Sequence, residues 1–159
     1  MQRPGGASGV GRIRGLDLGE RRIGVAISDP DRRLAVPLRI LERRDDATDA
    51  QAIIDLARAE GVTTLVVGHP ITLAGAAGAQ AKRVEAFADR LAKASGLPLE
   101  LWDERFTSVQ AERTPARPRK GGTKRGRRRR APADDLAAAI LLQSYLDRLR
   151  LEAAPATEL

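Results

Sequence analysis

Near Asp46 the apolar pattern of this chain turns from strands alone to helices alternating with strands, and that change of period limits the folds open to it. Before it, RIRGLDLG, RRIGVAISD and LAVPLRILER each read as a short strand. The breaks between them, Gly19 and Glu20, then Asp29 to Arg32, are turn chemistry, so the three strands form an antiparallel meander. After it, DATDAQAIIDLARAEG places Ile53, Ile54, Leu56 and Ala57 at helical spacing and stops at Gly61, a residue suited to a helix C-cap. TTLVVGHP is a continuous apolar run bounded by Gly68 and Pro70, too short for a good helix and typical of a parallel strand covered on both faces.

The alternation continues. GAQAKRVEAFADRLAKASG gathers Val84, Phe87, Ala88 and Leu91 on one helical face and stops at Gly96. LPLELWDER alternates Leu97, Leu99 and Leu101 with Pro98, Glu100 and Trp102, a strand pattern that ends in Asp103 and Glu104. TSVQAER then offers a short helix capped by Thr107. DDLAAAILLQSYLDRLRLEAA gives a long last helix with Leu142, Tyr145, Leu146 and Leu149 on one stripe. Three antiparallel strands followed by alternating helices and parallel strands predict an α/β fold with a mixed five-stranded sheet flanked by helices.

At 159 residues the chain has room for one good core. The expected organisation is a disordered leader over 1–11, one domain over 12–153 and a tail over 154–159. Within the domain, residues 114–133 have no apolar period. They carry Lys120, Lys124, Arg125, Arg127, Arg128, Arg129 and Arg130, and are expected to form a flexible basic loop.

Composition removes several chemistries. With no cysteine and the single His69, neither a thiolate site nor a histidine-rich zinc site can be built. A metal would be held by oxygen, which suits magnesium or manganese. No run of about 18 apolar residues is present to span a bilayer, so no membrane association is expected and the expected location is the cytoplasm. The net charge of +7 favours an anionic partner such as nucleic acid. Aromatic residues are 3% of the chain, which points to backbone or shape recognition ahead of the reading of unpaired bases.

Acidic residues fall where an open sheet keeps its ligand crevice, at the ends of elements. Asp17 closes the first strand, Asp103 and Glu104 close the fifth, and Asp134 and Asp135 open the last helix. Singly, each has a structural explanation as a turn, cap or solvated terminus residue. Jointly they are what phosphodiester hydrolysis needs, because carboxylates converging from different elements can hold two divalent ions roughly 3.5–4 Å apart. Helical geometry lets either Asp134 or Asp135 face the sheet and does not choose between them.

The segments IRGLDLGERRIGVAISD, VVGHPITLAGAAGAQA, DERFTS and DDLAAAILLQSYLD resemble, in order, the signature segments of the YqgF/RuvX family. These proteins are described as Holliday-junction resolvase-like or as nucleases for the 5′ end of precursor 16S rRNA. The resemblance covers about Ile13 to Asp147 and implies a ribonuclease H-like fold and dependence on magnesium or manganese. It also implies Asp17, Glu104 and Asp134 as catalytic, metal-holding carboxylates, with Asp103 as an auxiliary. Arg22 and Arg105 match basic positions of the family and are expected to contact phosphate. The sequence departs at His69 and Ala74, where the family more often has Leu and an acidic residue. His69 is either incidental or a proton carrier. The small-residue loop Gly75 to Gln80 either permits close packing or offers backbone amides to a phosphate.

The expected function is therefore a metal-dependent nuclease acting on structured RNA, foremost precursor 16S rRNA, or else on branched DNA such as a Holliday junction. The basic stretch from Lys120 to Arg130 would add salt-sensitive affinity beside the cleft. A resolvase would act as a symmetric dimer, but no dimer motif is evident, so monomer and homodimer both stand. Two other classes share part of this pattern. LDLGERRIGVAISD also resembles the first phosphate loop of actin and Hsp70-type ATPases, which need two such halves where this chain has room for one. A non-catalytic nucleic-acid-binding module would have no use for all three acids.

Overall fold

A computed structural model describes residues 11–71, 78–107 and 133–153, with side chains in the last stretch described from Leu136 onward. Residues 1–10 of the expected leader, most of the basic loop and the tail lie outside these residues. The chain begins with three strands, β1 (Arg12–Leu18), β2 (Arg22–Ser28) and β3 (Ala35–Glu42). Helix α1 (Asp46–Glu60), strand β4 (Val62–His69), helix α2 (Ala79–Ser95) and strand β5 (Leu99–Asp103) follow. Residues 104–107 are helical and form α3, and α4 spans Ala133–Ala153. The sheet order is β3-β2-β1-β4-β5. The first three strands pair antiparallel, whereas β4 pairs parallel with both β1 and β5. This is the mixed five-stranded architecture expected from the change of period, with β4 central in its parallel half.

Strand alternation gives the sheet two apolar faces. Leu16, Leu18, Val25, Leu65 and Val67 pack with Ile53, Ile54, Val84, Phe87 and Leu91 beneath α1 and α2. Ile13, Ala26 and Val66 pack on the other face with Ala138, Leu142, Tyr145 and Leu146 of α4. Each large aliphatic chain so buried contributes about 1.5–3 kcal/mol. The helix α4 is rich in Ala and Leu, the strongest helix formers, and has no glycine or proline within it. It comes close to the sheet because Gly15 has no side chain: a Cβ there would lie 2.8 Å from Leu142 Cβ. Gln143 anchors the same helix to the meander, accepting from the Ala35 amide at 2.9 Å and donating to the Arg33 carbonyl at 2.9 Å.

Cap chemistry sets the ends of the helices. Asp45 caps α1, accepting from the Thr48 amide at 2.8 Å, and Gly61 closes it at φ 71°, a left-handed conformation that glycine adopts without strain. Arg43 fastens this helix to the end of β1. It donates to the Gly19 carbonyl at 3.1 Å and to Asp49 at 3.3 Å, while its guanidinium lies 5.3 Å from the Phe87 ring centroid. A cavity of about 500 Å³ beside Gly19, Arg43 and Phe87 is part of this fastening, on the face away from α4.

The structure corrects two expectations. Glu104 does not end β5: the strand stops at Asp103, and Glu104 is the first residue of α3. Thr107 accordingly lies inside the helical turn and is not its cap, and the rest of TSVQAER is outside the described residues. Asp103 does the capping, accepting from the Arg105 amide at 2.9 Å.

Candidate active site

Asp17 lies near the end of β1, one residue before its last, with its neighbours Leu16 and Leu18 buried on the α1 and α2 face. Alternation turns Asp17 to the side that α4 covers. On β4 the same side is occupied by Gly68, where a Cβ would lie 2.6 Å from Glu104 Oε2 and 2.9 Å from Leu141 Cδ1. The missing side chain is what lets the Glu104 carboxylate lie over the end of the sheet.

The Glu104 carboxyl is pushed up to about 7 from its usual 4.5, first by burial and then by the negative charge of Asp17; His69 pulls it down and Asp103 adds a smaller upward push. Two acids predicted from different elements are therefore close enough to oppose each other's ionisation. Such a pair is suited to a cation, which would relieve both the burial cost and the repulsion. Both carboxylates are oxygen donors, the chemistry that a hard divalent ion prefers.

The third predicted acid, Asp134, is in the first turn of α4, the helix that packs on β1 and β2 beside Asp17, and Asp135 follows it. Their side chains are outside the described set. Among the described residues no group of three His, Cys, Asp or Glu side chains is disposed to hold a metal. The described part of the site is thus the pair Asp17 and Glu104.

Asp103 is committed to Arg105. Its Oδ2 accepts from Arg105 Nη2 at 2.6 Å and from Nε at 3.0 Å, and this arginine holds the carboxyl below its usual range. Arg105 is correspondingly oriented by Asp103, and its guanidinium remains partly exposed. Arg22 stands exposed at the first position of β2. Lys120, Lys124, Arg125, Arg127, Arg128, Arg129 and Arg130 lie outside the described residues, as does Ala74. Helix α2 starts after Gly78, whose φ of −84° is ordinary.

Two features were missed from sequence. His69 Nε2 lies 2.7 Å from Glu85 Oε2 on α2. A carboxylate can only accept, so Nε2 carries the proton and the ring is held at the mouth of the site. The second is a cluster in which Trp102, Phe106, Tyr145 and Arg148 meet between β5, α3 and α4. A glycine inside a strand, as at Gly68, was the available signal for a close approach. Nothing local connects Trp102 with α4.

Comparison with known proteins bears on this arrangement. The family model described as "RuvX: Holliday junction resolvase" matches residues 11–148. A Chloroflexus aurantiacus protein named "Putative pre-16S rRNA nuclease" is 45% identical over 138 residues, covering 87% of this chain and 88% of that one. A protein of the same name from Roseiflexus sp. is 43% identical over 148 residues, covering 91% and 99%. Among solved structures, T. thermophilus RuvC in complex with Holliday junction substrate superposes with a TM-score of 0.60 at 9% identity, covering 89% of this chain and 96% of that one. At that identity the likeness is one of fold, and it bears out the expected ribonuclease H-like class. No helix among the described residues is long and apolar enough to cross a membrane.

Proposed function

This chain belongs to the RuvX family, described as Holliday junction resolvases, and from that premise we propose that it is a metal-dependent nuclease that hydrolyses phosphodiester bonds. The observation that carries the reading is the Glu104 carboxylate lying against Gly68 at the end of the sheet, where burial first and the charge of Asp17 second raise it to about 7. Asp17 and Glu104, with Asp134 from the first turn of α4, would hold magnesium or manganese, expected as two ions. Bound there, such ions activate a water and stabilise the leaving oxygen. The protein's own contribution is to fix the acids on rigid elements. Arg43 fastens the end of β1 to α1, Asp103 caps α3 at the residue before Glu104, and Gly15 and Gly68 admit α4 and Glu104 to the sheet. Arg22 and Arg105 would contact phosphate, and the basic segment from Lys120 to Arg130 would add salt-dependent affinity.

The substrate favoured is precursor 16S rRNA, because relatives 43–45% identical over most of their length are named for it; action at the 5′ end and in the cytoplasm is what the family resemblance adds. The family description supports a second reading, cleavage of a Holliday junction, for which a symmetric dimer is expected. A cleavage panel of structured RNA, single-stranded RNA, duplex DNA and four-way junction with manganese tests both. Turnover of the RNA precursor alone supports the first, and turnover of the junction alone replaces it with the second.

A further inference from the structure

Aromatic residues are rare in this chain, yet three of the four, Trp102, Phe106 and Tyr145, occupy one cluster. Trp102 packs on Phe106 with ring centroids 5.1 Å apart and meets Tyr145 edge-on at 5.3 Å. Hydrogen bonds fix the inner two rings: Trp102 Nε1 donates to Ser144 Oγ at 3.1 Å, and the Tyr145 hydroxyl donates to Glu100 at 2.7 Å. The third ring is different. Phe106 is 44% exposed although Trp102 could be expected to draw it inward. The Arg148 guanidinium stands 5.6 Å from the Phe106 centroid and 5.9 Å from that of Trp102.

A core aromatic would be covered, and an isolated exposed one would need no explanation. An exposed ring backed by a fixed aromatic pair, flanked by an arginine and two residues beyond Glu104, is arranged to receive a flat partner. We propose that Phe106, supported by Trp102 and flanked by Arg148, is a stacking platform for an unpaired base of the nucleic-acid substrate, next to the bond that the Glu104 site cleaves. The platform rests on the nuclease reading for its place in the reaction, whereas its capacity to bind a base does not. Stacking on an aromatic ring accepts any base, and guanidinium planes stack in the same way. The chain's net charge of +7 and the neighbouring Arg105 favour a polyanion over an apolar protein partner. A low aromatic content does not prevent such recognition when the few rings are placed together. The substrate class this selects has single-stranded nucleotides flanking the scissile phosphate.

The test is binding, with cleavage prevented by chelation. A single-stranded RNA oligonucleotide carrying 2-aminopurine and a blunt RNA duplex are titrated against the full chain. The expected results are quenching of the base analogue on binding, and loss of that quenching in Phe106→Leu, which keeps apolar contact with Trp102 but has no ring. Single-strand affinity should fall about tenfold, within the range for one stacked base, and by more than any change for the duplex. Phe106→Tyr should restore both. An equal loss for both ligands, or retained quenching in Phe106→Leu, overturns the platform. So does a shift from dimer to monomer in Phe106→Leu with unchanged single-strand affinity, because the ring would then be a contact between copies. Phe106-dependent quenching in a protein that cleaves nothing would sink the nuclease reading and leave the platform standing. Cleavage with no such dependence does the reverse.

Discussion

Gly68 and Glu104 compete for one volume: a Cβ at position 68 would sit 2.6 Å from Glu104 Oε2. The strand glycine is therefore part of the site, because any side chain there must push the carboxylate off the end of the sheet or displace Leu141. Gly68→Ala should lower kcat about 100-fold, the scale of loss when a catalytic group is misplaced by about 1 Å. The comparison is kcat against the melting temperature. A fall in stability with kcat unchanged would show that the glycine serves packing alone.

The acid pair predicts an unusual pH dependence for the metal-free protein. Glu104 is raised to about 7 from 4.5, so the folded state holds a proton that the unfolded chain has released. Its contribution to stability is fully present below 4.5 and is lost as pH rises through about 7. After allowance for solvent screening of a partly buried group, the loss is roughly 1–2 kcal/mol. Asp29, Asp45 and Asp103, whose pKa values are lowered from 3.8, act in the opposite sense and only at more acid pH. Denaturant melts from pH 5 to 8 should show the decline in the parent chain and a flat profile in Glu104→Gln. Divalent-cation affinity should rise across the same interval, because ligation needs the ionised acid.

Most of the fold could be read from sequence because burial on two faces leaves a period behind. The unbroken apolar run of β4, Leu65 to Val67, is an example: its residues enter the two cores alternately, and no polar position interrupts them. The start of α3 could not be read in this way. Asp103 and Thr107 are both good capping residues, and only the Asp103 bond to the Arg105 amide distinguishes them. Asp17 and Glu104 can be nominated from sequence because chain order brings strand and helix ends together, whereas the choice of Asp134 over Asp135 rests on the family resemblance alone. The His69 contact with Glu85 and the ring cluster around Trp102 depend on tertiary packing between segments distant in sequence, for which periodicity carries no signal.

Arg14 is fully buried on β1, and its Nε and Nη1 have no hydrogen-bond partner, while Nη2 reaches the Leu56 carbonyl only at 3.5 Å. Burial lowers its pKa to about 10, so it is charged at neutral pH within an apolar layer. Replacing buried ion pairs by apolar chains of similar volume is often neutral or stabilising in other proteins, by about 1–4 kcal/mol, because the desolvation cost disappears. Arg14→Met should therefore raise the melting temperature, and Arg14→Ala should lower it by opening a cavity. A drop in Arg14→Met would mean that the guanidinium stabilises the fold.

Deletion of Lys120 to Arg130 removes seven positive charges adjacent to α4 in sequence. Binding to RNA should weaken, and the dependence of log affinity on log salt should become shallower. An unchanged slope would take this segment out of the binding surface.

If Asp17 and Glu104 hold the cation at which nucleic acid is cleaved, loss of one carboxylate stops cleavage. Cleavage of a labelled precursor 16S rRNA by Asp17→Asn in manganese, with binding measured in parallel, tests it most directly. Cleavage is expected to be abolished while binding is largely retained. Cleavage at the parent rate would contradict it.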